Sequence, residues 1–173
     1  RNAWYPAAWE REIGQSPYAA RLLGEEIAIF RRGDGTYAAM EDACPHRKLP
    51  MSMGRVKDDE LECGYHGLTF DCSGVCVKAP TNNGVVPAVR LRTYPVHARY
   101  GLVWMWMGDP ALADPAKIFH VEHWDDPTWG TTTGDDMIID CNYLVITDNL
   151  LDPSHVAWVH LSSFAGQGSD DTP

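Results

Sequence analysis

Residues 43–67 of the chain read ACPHRKLPMSMGRVKDDELECGYHG. Four metal-ligating side chains stand there as two tight pairs. Cys44 and His46 form Cys-x-His; after 16 intervening residues Cys63 and His66 form Cys-x-x-His. Three readings are open: incidental packing residues, the ligands of a zinc ion, or the ligands of an iron–sulfur cluster. The chain has only five Cys and seven His among 173 residues, so two such pairs in one short stretch are poorly explained as packing alone.

Zinc accepts two Cys and two His, but its knuckles usually pair like with like, as Cys-x₂₋₄-Cys and His-x₃₋₅-His. Here each knuckle mixes one thiol with one imidazole. That arrangement suits a two-iron cluster in which each knuckle gives one ligand to each iron. Two thiolates then hold one iron and two imidazoles the other, the ligand set of a Rieske [2Fe–2S] centre. Neutral imidazoles in place of charged thiolates ease reduction, to about −150 to +300 mV. Gly64 and Gly67 flank the second pair and leave room for backbone N–H groups near cluster sulfurs. Pro45 stiffens the first loop.

Outward from this stretch the chain reads mostly as strand. In EIAIFRRGDGTYAAMED, residues 28–32 and 36–42 are the arms of a hairpin and GDG its turn. LTFDCSGVCVKA reads as a second hairpin turning at SG. VHARYGLVWMWMG reads as one apolar strand, buried on both faces at its end. Pro45, Pro50, Pro80, Pro87, Pro95 and Pro110 punctuate short strands joined by loops. At residues 108–118, GDPALADPAKI, the pattern changes to that of a linker. DDMIIDCNYLVI reads as a further strand, with Cys141 in its core. From Asp148 to about Leu161 the pattern is helical, and SSFAGQGSDDTP after it is small and polar.

The segment TDNLLDPSHVAWVH, residues 147–160, carries Asn149, Asp152, His155 and His160. Two His and a carboxylate with open positions make the facial triad of non-haem iron(II) oxygenases. The alternative is an amphipathic helix with incidental His. On a regular helix His155 and His160 would lie ~140° apart around the axis. Sharing a metal therefore requires a local irregularity, such as a π-bulge, or a metal off the helix end. Pro153 suits the first turn of a helix with Asp152 as its N-cap.

The combined pattern resembles the α-subunits of Rieske non-haem iron oxygenases, and among them the vanillate O-demethylase group. NAWYPAAW, CPHRKLPMSMGRV, CGYHGLTFDCSG and DNLLDPSHVAWVHLSS carry the resemblance, which covers nearly the whole chain. It implies a mainly β protein. A Rieske-type antiparallel β domain at residues 1–108 would be followed, at 109–173, by a linker and the start of an α+β catalytic domain whose remainder is absent. It implies Cys44 and Cys63 on one cluster iron, His46 and His66 on the other, and His155 and His160 on a mononuclear Fe(II). Asp152 would connect across a subunit boundary to a cluster histidine, and Asn149 would lie near the iron. The family's third iron ligand is a carboxylate from far downstream, beyond Pro173; Asp170 and Asp171 are the alternative within the chain. The implied partners are O₂, an aromatic substrate, an NADH-dependent reductase with flavin and a ferredoxin-type cluster, and two further copies in a homotrimer. The implied activity is hydroxylation or O-demethylation of an aromatic such as vanillate. An aromatic-ring dioxygenase and a Rieske-type electron carrier without catalytic iron are the alternatives.

Composition narrows the rest. Lys and Arg number 14 against 24 Asp and Glu, a formal net charge of −10, which disfavours nucleic acid and anionic membrane surfaces. No apolar run approaches the ~20 residues of a membrane span, and RNAWYPAAWERE has no apolar h-region. A cytoplasmic setting is expected, with Cys72 and Cys76 as free thiols. His97, His120 and His123 have no paired spacing and read as ordinary packing or surface residues. Trp104 and Trp106 read as packing residues, and Asp125, Asp126, Asp135 and Asp136 as solvated loop acids.

Overall fold

The computed structural model describes residues 1–160 apart from 84, 133, 135 and 136. The expected polar tail with Asp170 and Asp171, the helix end at Leu161, and Asp135 and Asp136 lie outside the described residues. Two compact units are present, Arg1–Trp129 and Gly130–Pro173. The described strands, all in the first unit, are β1 (Ala3–Trp9), β2 (Tyr18–Leu22), β3 (Glu25–Arg31), β4 (Tyr37–Glu41), β5 (Arg55–Lys57), β6 (Glu60–Glu62), β7 (Thr69–Phe70), β8 (Cys76–Lys78), β9 (Thr93–Tyr94), β10 (Val96–Arg99) and β11 (Leu102–Met107). They form three antiparallel sheets in the orders β1-β11-β10, β2-β3-β4-β9 and β5-β6-β7-β8.

The β3–β4 hairpin is the centre of this arrangement. Ile27, Ala28, Ile29 and Phe30 are all fully buried. Side chains alternate across a strand, so Ala28 and Phe30 point one way and Ile27 and Ile29 the other. Ala28, Phe30, Ala38 and Met40 join one core with Leu61, Phe70, Met51, Cys44 and Cys63. Ile27, Ile29, Tyr37 and Ala39 join a second core with Val103, Met105 and Met107. The hairpin is thus a wall shared by two cores. Its turn is closed by Arg32 N–H to the Thr36 carbonyl at 2.8 Å and by the Asp34 carboxylate, which accepts from the Thr36 N–H and hydroxyl. The expected arms match the observed strands to within one residue at the turn.

The second expected hairpin is also present, as β7 and β8. Asp71 organises its turn by accepting from the N–H groups of Ser73 and Val75 and from the Ser73 hydroxyl. VHARYGLVWMWMG differs from expectation. It is two strands, β10 and β11, with Arg99 opposite Leu102. Tyr100 and Gly101 both have positive φ, 60° and 71°, the signature of a type I′ hairpin turn. Met105, Trp106 and Met107 at the strand end are buried on both faces, as expected. Trp104 and Trp106 pack and donate their indole N–H groups to the Arg99 and Asp109 carbonyls.

Residues 108–118, expected as a linker, lie within the first unit, which runs to Trp129. Asp109 and Asp114 each cap a short Pro-led 3₁₀ turn, Trp4 donates to the Asp114 carbonyl, and Ile118 is buried.

Among the described residues of the second unit the strand expected at DDMIIDCNYLVI is not found. The described residues before 143 are irregular, and α1 (Tyr143–Leu151) begins inside the segment. The Asn142 side chain accepts from the Leu144 N–H and so caps a helix. That local hydrogen bond outweighs the β preference of the apolar run. Cys141, expected in a core, is exposed. The chain continues through a 3₁₀ turn at Pro153–His155 into α2 (Val156–Val159). Among the described residues no helix is long and apolar enough to cross a membrane.

The shared wall sets an expectation for stability. Phe30→Ala should cost about 3–5 kcal/mol, the range for a fully buried aromatic. Urea unfolding followed by tryptophan fluorescence should show one transition moved to lower denaturant rather than two.

Candidate functional site

The four candidate ligands of the opening stretch are carried by two loops of the same backbone design. In the loop after β4, Cys44 N–H donates to the Leu49 carbonyl at 2.9 Å and Lys48 N–H to the Cys44 carbonyl at 2.8 Å. In the loop between β6 and β7, Cys63 N–H donates to the Leu68 carbonyl at 2.8 Å and Gly67 N–H to the Cys63 carbonyl at 3.1 Å. The offsets from each Cys are identical. So is the left-handed residue four positions on, Lys48 with φ 58° and Gly67 with φ 71°. This geometry turns each Cys inward and each His outward. Cys44 and Cys63 are 2% exposed. His46 is exposed and His66 half-buried.

The loops meet sulfur to sulfur and nitrogen to nitrogen. The Cys44 thiol interacts with that of Cys63, and burial above all pushes its pKa up. The Nδ1 atoms of His46 and His66 face each other at 3.2 Å, with ring centroids 4.7 Å apart. Tyr65 lies against the His66 ring at 4.0 Å between centroids. Two facing Nδ1 atoms above two paired sulfurs fit a centre whose two metals take two ligands each. A single tetrahedral ion would instead gather all four about one point. Among the described residues no three His, Cys, Asp or Glu side chains converge in that way.

The loops also pack on each other. A Cβ on Gly64 would lie 2.9 Å from the Met53 carbonyl oxygen, and one on Gly54 would lie 2.1 Å from that of Glu62. Close backbone approach between the loops is what Gly64 serves here.

In the second unit, α1 ends at Asp152, whose φ and ψ of −105° and 86° break the helix. Its carboxylate accepts from the N–H and hydroxyl of Ser154, and the hydroxyl above all holds its pKa below the usual carboxylate value. Pro153 opens the next turn with Asp152 as N-cap, as the sequence predicts. The residues between the two His form the short helix α2, and the irregularity lies just before His155, as a 3₁₀ turn rather than a π-bulge. Pro153 lacks the N–H that a widened turn would use. The rings of His155 and His160, at the two ends of α2, lie 5.5 Å apart between centroids. His155 Nδ1 is hydrogen-bonded to the Asp152 carbonyl, which assigns the proton to Nδ1 and leaves the Nε2 lone pair available. Asn149 Nδ2 stands 3.4 Å from that Nε2.

A Rieske [2Fe–2S] domain model matches residues 3–95. The chain belongs to the Rieske [2Fe–2S] domain family. Beyond its Rieske domain, residues 139–173 match the vanillate O-demethylase oxygenase C-terminal domain. The vanillate O-demethylase oxygenase subunit of Pseudomonas sp. (strain HR199 / DSM 7063) is 41% identical over 100% of this chain and 48% of its own length. The oxygenase component of dicamba O-demethylase from Stenotrophomonas maltophilia is 44% identical over 92% of this chain and 47% of its own. A crystal structure of dicamba monooxygenase bound to dicamba superposes with a TM-score of 0.84 at 44% identity, over 92% of this chain and 48% of that one. The chain spans about half the length of the relatives it matches.

The other singled-out residues take ordinary places. Cys72 and Cys76 are free thiols that point to the Asp59 and Lys78 carbonyls. His97 packs edge-on to Trp4, His120 contacts the Tyr100 hydroxyl, and His123 stacks on Trp129. Asp126 caps its own turn through Thr128. Sequence reasoning passes over Asp42 and Ser52, which bond across the neck of the first loop. No metal-binding spacing marks them.

The matched left-handed positions are not equivalent in cost. Gly67→Ala should destabilise the Rieske domain by roughly 1–2 kcal/mol, the penalty of a side chain in that conformation. Lys48→Gly should stay within about 1 kcal/mol of wild type, because relief of that strain offsets the extra freedom of the unfolded chain. Thermal unfolding of the two variants side by side measures both.

Proposed function

We propose that this chain is the cluster-bearing part of the terminal oxygenase component of a Rieske non-haem iron monooxygenase. It would hydroxylate or O-demethylate an aromatic substrate such as vanillate. The observation that carries the reading is the pairing of ligands, thiol with thiol and Nδ1 with Nδ1 at 3.2 Å, across two loops of one design. Cys44 and Cys63 hold one cluster iron; His46 and His66 hold the other through Nδ1. His155 and His160 are two ligands of a mononuclear Fe(II). The relatives named as oxygenase components of O-demethylases support the reaction class.

When bound, the cluster supplies single electrons and the mononuclear iron is where O₂ is activated. The residues of the chain do the rest. The buried cysteines keep water from the sulfur side. Asp152 orients His155, because its carbonyl fixes the imidazole proton on Nδ1 and presents Nε2 to the metal. Its carboxylate, held ionised by Ser154, is suited to the link between centres. Asn149 sits beside Nε2, where it can position a ligand without being one.

The third, carboxylate ligand lies beyond Pro173 in this reading, in the remainder of a catalytic domain that begins after a Rieske domain at 1–108. In support, α1 has no buried residue, and Leu144, Val145, Leu150, Leu151 and Trp158 are exposed. Apolar side chains in that number call for a covering surface. The partners are an NADH-dependent reductase with flavin and a ferredoxin-type cluster, and two further copies in a homotrimer.

Metal and sulfide analysis of anaerobically purified full-length protein tests the reading. About three irons and two sulfides per chain are expected, falling to about two irons in His155→Ala. Two irons in both proteins would remove the mononuclear centre and leave an electron carrier. Zinc without sulfide would end the cluster assignment.

A further inference from the structure

The two ligand loops share their inner hydrogen bonds, but their necks are closed by different means. Two residues before Cys63 stands Leu61, which pairs with Phe70 in the β6–β7 ladder. That ladder holds the second loop shut. The first loop leaves β4 at Glu41 and rejoins a strand only at Arg55, which pairs with β6 rather than with β4. No ladder closes its neck. Asp42 stands in the position of Leu61, two residues before Cys44. Its Oδ1 accepts from the Ser52 N–H and its Oδ2 from the Ser52 hydroxyl, each at 2.6 Å. Asp42 is itself 8% exposed, and its N–H donates to the Glu26 carbonyl of β3 at 3.0 Å.

A buried carboxylate is costly unless it is satisfied, and charge-assisted hydrogen bonds are among the strongest available. The clamp therefore ties Ser52 firmly to the end of β4. Ser52 lies in the 3₁₀ turn Met51–Met53. Met51 packs in the core that holds Cys44 and Cys63. The Met53 carbonyl and Gly54 that follow abut Gly64 and Glu62, the residues on either side of Cys63. What Asp42 holds is thus pressed directly against the second ligand loop.

The geometry points to Asp42 as a positioning residue for the [2Fe–2S] cluster. Through Ser52 it closes the first loop and sets where Cys44 and His46 stand relative to Cys63 and His66. This role rests on the ligand assignment proposed above.

The test compares wild type with Asp42→Asn, Ser52→Ala, Ser52→Thr and the double variant Asp42→Asn/Ser52→Ala, each as purified holoprotein. The readouts are the EPR spectrum of the reduced cluster and the rate of iron loss to a chelator. Asp42→Asn keeps the shape but loses the charge and one acceptor, so iron loss should be about tenfold faster and the g-values displaced. Ser52→Ala should shift both in the same direction by less, and Ser52→Thr should restore them. The double variant should lose iron no faster than Asp42→Asn alone, since one interaction cannot be removed twice. Unchanged EPR spectra, or single effects that multiply in the double variant, would overturn the role while leaving the ligand assignment standing. Wild-type protein without iron and sulfide would overturn the assignment and the role together. Should Asp42→Asn fail to fold, the contrast between Ser52→Ala and Ser52→Thr decides alone.

Discussion

The constraint on which the first unit depends is that one hairpin must be buried on both faces. Ile27 to Phe30 have no solvent side, so β3 and β4 need apolar cover above and below. The sheet of β1, β10 and β11 supplies one cover. The other is supplied by the β5–β8 sheet and by the roots of the ligand loops, including Cys44, Met51 and Cys63. The cysteines of the candidate cluster site are therefore part of the core that makes the wall stable. Small rigid loops need such backing, because short irregular backbone gains little from its own hydrogen bonds.

Much of this was legible in the residues. The mixed Cys/His knuckles pointed to a two-metal centre, and the hairpin of β3 and β4 followed from the GDG turn between apolar arms. The places where reading failed have physical causes. YG at residues 100–101 lacks the usual turn signature, yet Tyr100 accepts a left-handed conformation and splits one expected strand into two. MIIDCNYLVI has the β-branched content of a strand, but Asn142 offers its side chain to the backbone at the right place and a helix starts instead. Strand propensity needs a neighbouring strand to be realised, and among the described residues that segment has none.

The two candidate sites differ in how much of their geometry is local. At His155 and His160 everything described follows from neighbours in sequence: an N-cap, a Pro, a carbonyl three residues back. The first site is non-local. Leu49, Ser52, Glu62 and Leu68 each fix a different part of it, and the Asp42–Ser52 contact crosses a neck that no sequence spacing marks. Local sites are readable from one segment, whereas assembled ones require the fold.

The orientation of the twin loops gives the proposed cluster two unlike sides. Behind the sulfurs lies apolar core, with Phe30, Met40, Phe70 and Met51 fully buried. In front are two imidazole edges, one of them open to solvent. A redox centre set in this way behaves as a terminal insulated on one side. With the cluster bound, His46 and His66 would be its outward-facing ligands and the side for electron exchange, and the hydrocarbon behind the sulfurs would be the sheath on the other side.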